Sequence, residues 1–379
     1  MAANATRDDG LYEGVAPGSD IVVIRAFGAD GSGTYAGVIS ALDWVLENRE
    51  QYGIRVLNLS FGAEPRSHYW DDPLNQAVMR LWQAGVVVVA SSGNTGPDPM
   101  TVNVPGNVPY VITVGAMSDN YTPHDGTDDL LASFSSAGPT YEGFVKPDIV
   151  APGGHVVARM SPNTHIAQLH GSMSSSQRRF AMSGTSQAAA VVSGVAALML
   201  QDDPTLTPDD VKCRLLASAR PALDGNGLPA YSVFQQGAGV VNAVDAINST
   251  AAACANQGLD IAQDLAGERH FGGRANQDER GNFYLMDPET EGAPLEGDGY
   301  TWSQGYTWSQ GYTWSQGYTW SQGYTWSQGY TWSQTDVSGQ GYIWSQGYLW
   351  SQSLPWDETS NPVSGSARPM SVNRWVEHE

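Results

Sequence analysis

The chain has 379 residues, with 39 Asp and Glu against 18 Lys and Arg and a formal net charge of −21; at ~150 residues per domain it holds two or three units, one with a large core. So acidic a surface repels phosphate backbones and argues against nucleic-acid binding. The longest apolar run, Val191 to Leu200, falls short of the ~18 residues a spanning helix needs, and the opening residues carry no apolar signal-peptide core.

Residues 1–250 read as one alternating α/β unit. Short β-branched runs recur at Asp20–Arg25, Arg55–Leu59, Val86–Ala90, Tyr110–Val114 and Pro147–Ala151. Their apolarity is continuous rather than alternating, as in strands covered on both faces. Between the first two runs, Val38, Ile39, Leu42, Val45 and Leu46 recur at helical spacing. The next gap has Asp72 as an N-cap, Pro73 at the first helical position and Gly85 as a stop. Thr207, Pro208 and Asp210 announce a further helix with a capping box. Strand and helix in alternation mean a parallel sheet with helices on both faces.

From 251 to 298 the periodicity fades, and the stretch reads as a linker or weakly ordered extension. Residues 299–352 are nine hexads in register, six of them Gly-Tyr-Thr-Trp-Ser-Gln. Six is even, so in an extended chain every Tyr and Trp falls on one face and every Gly on the other. Such a tract suits a β-ladder or solenoid that binds glycans, a surface or copies of itself; a disordered, duplicated tract fits as well. Residues 353–379 form a C-terminal tail. Cys213 and Cys254 are too few for a metal site or a disulfide framework, and either one bridge or two thiols fits them.

Chemistry concentrates in three segments. In Gly184-Thr185-Ser186-Gln187-Ala188-Ala189-Ala190 a serine opens a helix of small residues. The free amides and partial positive charge of such an N-terminus can build a nucleophile and half of an oxyanion hole; the bland alternative is a helix cap. Ser91-Ser92-Gly93-Asn94-Thr95-Gly96 follows a strand, at the edge where open α/β sheets bind ligands. There Asn94 suits an oxyanion donor or, more plainly, a turn residue. Asn58-Leu59-Ser60-Phe61-Gly62 ends the preceding strand with an edge able to pair with an extended peptide; an ordinary strand end is the alternative.

In this order, the three segments resemble the subtilase family of serine endopeptidases. The match spans residues 10–247 and adds Gly14-Val-Ala-Pro17, Gly28–Gly33, Val104–Pro109, Lys146–Gly153 and Gly237–Asn242. The resemblance implies a subtilisin-like three-layer, doubly wound sheet with Ser186 as nucleophile and Asn94 as oxyanion donor. It implies a substrate cleft between Ser60, Phe61, Gly62 and Ser91, Ser92, Gly93, a cis bond at Val104–Pro105, and secretion from the cell. It points to polypeptide substrates and to no cofactor; calcium is common in the family, yet no ligand set here is specific enough to assign.

The front of the chain departs from that pattern. Subtilases place an Asp strand and a His helix before the Gly-Val-Ala-Pro segment, which here stands at residues 14–17. Met1 therefore reads as an internal or mis-assigned start, with the triad Asp and His upstream and this chain inactive alone. Loss of the Asp strand is expected to expose two sheet edges. His155, His165 and His170 offer only a remote substitute base. The competing reading is a non-catalytic surface-binding or fibre-forming protein that acts through its aromatic repeats.

Overall fold

A computed structural model describes residues 14–122, 128–169, 171, 174–176, 179–223, 229–278 and 282–286, with two short backbone strands at 312–313 and 369–371. In chain order the first elements are β1 (Ser32–Thr34), α1 (Tyr35–Asn48), β2 (Val56–Leu59), α2 (Pro73–Gln83), β3 (Val87–Ser91), β4 (Ile112–Ser118), β5 (Leu130–Leu131) and β6 (Ile149–Pro152). A small insertion follows, β7 (Val156–Arg159), α3 (His165–Leu169), β8 (Ser174–Ser176) and β9 (Arg179–Met182). Then come α4 (Thr185–Asp202), α5 (Pro208–Ser218), α6 (Val233–Gln236), α7 (Ala243–Asn248), α8 (Ile261–Leu265), β10 (Phe271–Gly272), β11 (Ala275–Gln277) and β12 (Phe283–Leu285).

β2, β3, β4 and β6 lie side by side and parallel, with Leu59 opposite Ala90, Ser91 opposite Val114 and Ala116 opposite Ala151. β5 pairs antiparallel with the end of β4. Every residue of β3 and β4 is buried, as a sheet covered on both faces requires. α4 crosses β2, β3, β4 and β6, and its buried Ala188, Ala189, Ser193, Gly194 and Ala196 let the helix lie close to the strands. The expected caps are present. Asp72 accepts from the Leu74 and Asn75 amides, Pro73 opens α2, and Thr207 and Asp210 form the capping box of α5. Tyr35 donates to Asp72 at 3.2 Å and ties α1 to α2. Burial pushes that carboxyl up to about 6.

Four of the five expected strands form. The fifth, Asp20–Arg25, has no strand in the fold, and Ile21 and Val23 are 61% and 84% exposed. Among the described residues β2 is paired only with β3. The apolar run therefore has no neighbouring strand to complete its hydrogen bonds, and Asn58 is exposed along the open side of β2.

The stretch from 251 onward also differs from expectation, because much of it packs onto the domain. Phe271, Ala275 and Leu285 join the core. The amides of Gly273 and Ala275 donate to the carbonyls of Glu142 and Gly143 at 2.7 and 3.0 Å. Asp264 is 3% exposed and accepts from Tyr69 Oη at 2.6 Å, Tyr110 Oη at 2.9 Å and His270 Nδ1 at 2.7 Å. These anchors are single residues on elements of two to five residues, too short to leave a periodic trace. Cys213 and Cys254 form a disulfide with Cα atoms 5.2 Å apart, which resolves the alternative left open. The hexad tract lies outside the described residues apart from Tyr312–Thr313, as does the tail apart from Pro369–Ser371.

Candidate active site

Ser186 sits in the first turn of α4 and is 7% exposed. Its Oγ donates to the Ser60 carbonyl at 3.3 Å, while Ser60 Oγ donates back to the Ser186 carbonyl at 2.9 Å. Asn58 Nδ2 donates to Ser60 Oγ at 2.8 Å, and Ser193, two turns along α4, donates to Asn58 Oδ1 at 3.1 Å. One polar ladder thus fixes the open end of β2 against the helix that carries Ser186. The Gly184 carbonyl accepts from Gln187 N at 3.0 Å and closes the first turn.

Asn94 is held by Thr185. Its Oδ1 accepts from Thr185 N at 2.9 Å and Thr185 Oγ1 at 2.8 Å. Two donors on one atom settle which end of the amide is oxygen and leave Nδ2 to point along the turn at Gly184, where an added Cβ would come within 3.3 Å of it. The amide nitrogen of Asn94 thus lies beside the turn that opens α4, where the Thr185 amide is already given to Asn94 Oδ1 and the Gln187 amide to Gly184. Gly184 has φ 155° and its Cβ would also meet Gln187 Oε1 at 2.7 Å, so a side chain there would push the turn and Asn94 apart. Gly93, at φ 116°, donates to Thr185 Oγ1 at 3.3 Å.

The remaining expected residues divide. Ser60 and Gly62 are half-buried at the open edge of β2, whereas Phe61 is 7% exposed with its ring 5.2 Å from that of Phe27. Ser91 and Ser92 are buried at 4% and 0% exposure. The Ser91 hydroxyl turns toward the carbonyls of Leu59 and Phe61, at 3.5 and 3.4 Å. The backbone of Ser92 bonds Val114 and Asn103 at 2.9 Å each. Asn103 itself escaped the sequence reading. Its side chain fills the space between Gly62 and Gly93, where added Cβ atoms would meet it at 2.9 and 2.7 Å. Val104 pairs with Ala63 beside it, and the Val104–Pro105 bond is cis, as expected. The signal available was the position of Asn103 directly before Val104-Pro-Gly; Thr185, the clamp on Asn94, was in view only as a neighbour of the serine.

Of the three loop histidines, His155 stands against Tyr121 with ring centres 4.0 Å apart, its Nδ1 3.5 Å from Ser118 Oγ and its amide on Ser183 Oγ at 3.0 Å. His165 begins α3, and His170 lies outside the described residues. Among the described residues no trio of His, Cys, Asp or Glu side chains could hold a metal ion, and no helix is long and apolar enough to cross a membrane.

Residues 1–254 match the model of the subtilase family, Peptidase_S8. Serine protease AprX of Bacillus subtilis (strain 168) is 39% identical over 252 residues, covering 65% of this chain and 55% of AprX. Subtilisin DY of Bacillus licheniformis is 32% identical over 231 residues, covering 60% of this chain and 68% of that protein. The solved S41 psychrophilic protease superposes with a TM-score of 0.50 at 26% identity, over 62% of this chain and 72% of that one. The chain thus spans little more than half the length of AprX. Its α/β fold with a parallel sheet, the serine at the head of α4 and the match over residues 1–254 place it in the subtilase family.

Proposed function

We propose that the protein is a subtilisin-type serine endopeptidase acting on polypeptides. Ser186 Oγ attacks the peptide carbonyl and forms an acyl-enzyme, while Asn94 Nδ2 and the Ser186 amide hold the oxyanion. The observation that carries this reading is the clamp of Thr185 on Asn94 Oδ1, at 2.9 and 2.8 Å, which orients the amide without a rotamer to lose at the transition state. The half-buried Ser60 and Gly62 support a backbone-paired substrate on one side of the serine. By the family resemblance, an imidazole base takes the Ser186 proton and returns it to the leaving amine, and a carboxylate orients that base. The Cys213–Cys254 disulfide supports a site of action outside the reducing cytosol.

The test is hydrolysis of peptide nitroanilides by the protein from its natural source and by an Asn94→Ala variant produced in the same way. Removing one oxyanion donor is expected to lower kcat by about 10²–10³ with KM little changed. A kcat within twofold of wild type would count against the assignment.

A further inference from the structure

Thr185 clamps the side chain of Asn94, but a side chain keeps its place only if the backbone that carries it is held as well. Asn94 stands half-buried in the loop after β3, outside any helix or strand. The residues on either side of it are tied to a single partner, Ser136. The Gly93 carbonyl accepts from Ser136 N at 3.0 Å, and Thr95 N donates to Ser136 Oγ at 3.1 Å. The Thr95 hydroxyl stands 3.1 Å from the same Oγ and donates to the Thr101 carbonyl at 3.3 Å. With the Thr95 proton given to Thr101, the Ser136 proton goes to Thr95 Oγ1, so the Ser136 hydroxyl both donates to Thr95 and accepts from it.

Ser136 is itself firmly placed. It is fully buried, at 0% exposure, and the residue before it is tied to the sheet. Ser135 Oγ accepts from Ala116 N of β4 at 3.0 Å, the Ser135 amide donates to the Ala132 carbonyl at 2.9 Å, and Ala132 N donates to the Ala116 carbonyl at 3.0 Å. The loop that carries Asn94 lies directly against this post. An added Cβ at Gly93 would come within 2.7 Å of Ser136 Oγ, and one at Gly96 within 1.9 Å of the Ser135 carbonyl oxygen. The Gly96 amide also donates to the Phe134 carbonyl at 2.9 Å. Ser136 belongs to no helix or strand, so its hydrogen bonds complete no ladder; they go to the two neighbours of Asn94.

We propose that Ser136 is a positioning residue for the peptidase reaction, pinning the backbone on both sides of Asn94 so that Nδ2 meets the developing oxyanion without reorganisation. The proposal rests on the reading of Asn94 as oxyanion donor. Two clamps from separate parts of the fold then fix that amide, Thr185 of α4 on its side chain and Ser136, from the segment after β5, on its backbone. Without the second clamp the loop can shift the donor by a fraction of an ångström. Substrate binding tolerates such a shift, and the transition state does not.

The experiment is a double-mutant cycle on the protein from its natural source and on variants produced in the same way, read as kcat and KM on a peptide nitroanilide. Ser136→Ala should lower kcat about tenfold or more with KM little changed. In an Asn94→Ala background, where no donor is left to position, the same substitution should change kcat by less than about twofold. A loss of equal size in both backgrounds would mean general damage to the fold and would overturn the proposal. So would a full loss for Asn94→Ala with none for Ser136→Ala, which leaves the oxyanion reading standing. An unchanged kcat for Asn94→Ala alone would instead sink the oxyanion reading, and the proposal with it. Hydrogen exchange needs no variant: the wild-type Thr95 amide should exchange at least about a hundredfold more slowly than an open-chain amide. Exchange at the open-chain rate would overturn the proposal even if Ser136→Ala failed to fold.

Discussion

Asp264→Ala tests whether the stretch after residue 250 belongs to the cooperative domain. The carboxylate is buried and accepts three hydrogen bonds, from Tyr69, Tyr110 and His270. Burial and the charge of Asp264 push both phenols far above their ordinary range, so they act as hydroxyl donors at any working pH. Hydrogen bonds to a charged group contribute about 1.5–3 kcal/mol each, and an orphaned buried donor costs about 1–3 kcal/mol. After the substitution Tyr69 Oη still reaches the Phe271 carbonyl at 3.3 Å, and His270 is partly exposed, so the principal orphan is Tyr110. Removing a buried charge also returns its desolvation cost. The net loss should be about 3–5 kcal/mol, a large share of the 5–15 kcal/mol typical of a domain. Urea unfolding followed by far-UV circular dichroism reads the loss, and hydrogen exchange over residues 271–277 should speed up first, since the Gly273 and Ala275 amides bond back to Glu142 and Gly143. A loss below about 1 kcal/mol, with exchange over 271–277 unchanged, would show that the segment is only laid against the surface.

Two further outcomes are expected. Reducing the Cys213–Cys254 bridge, which spans a sequence separation of 41, should cost about 2–4 kcal/mol; a urea midpoint unmoved by dithiothreitol at full reduction would contradict this. Burial, against the attraction of Asp148 and with the repulsion of Lys212, pushes Lys146 down from 10.5 to about 7. Between those values the unfolded chain binds more protons than the folded one, so the contribution of Lys146 to stability should rise with pH across that window and be lost as pH falls through 7. Wild type should therefore gain on Lys146→Met from pH 7 to 10 in urea midpoints, and the opposite slope would refute the assignment.

Much of the fold was legible because its signals are local. Asp72-Pro73 and Thr207–Asp210 announce helix starts through cap chemistry, and Val87–Ser91 and Ile112–Ser118 announce buried strands by unbroken apolarity. Asp20–Arg25 shows the limit of that reasoning: an apolar run becomes a strand only beside another strand, and its composition cannot say whether one is there. Asp264, Lys212 and Asn103 were missed for a related reason. Their partners, Tyr69, Pro109 and Gly93, are 195, 103 and 10 residues away in sequence, and nothing in the intervening residues marks the meeting. Ser186 and Asn94 stand in short motifs with their own backbone logic, whereas the inward turn of Ser91 is decided by how β3 registers with its neighbours.

The most direct test of the account is fluorophosphonate labelling of the protein isolated from its natural source, followed by tryptic mapping. The account predicts one adduct, on Ser186 within the peptide Phe180–Lys212, abolished by Ser186→Ala. A folded protein left unlabelled under conditions that label AprX, or an adduct that persists in Ser186→Ala, would contradict it.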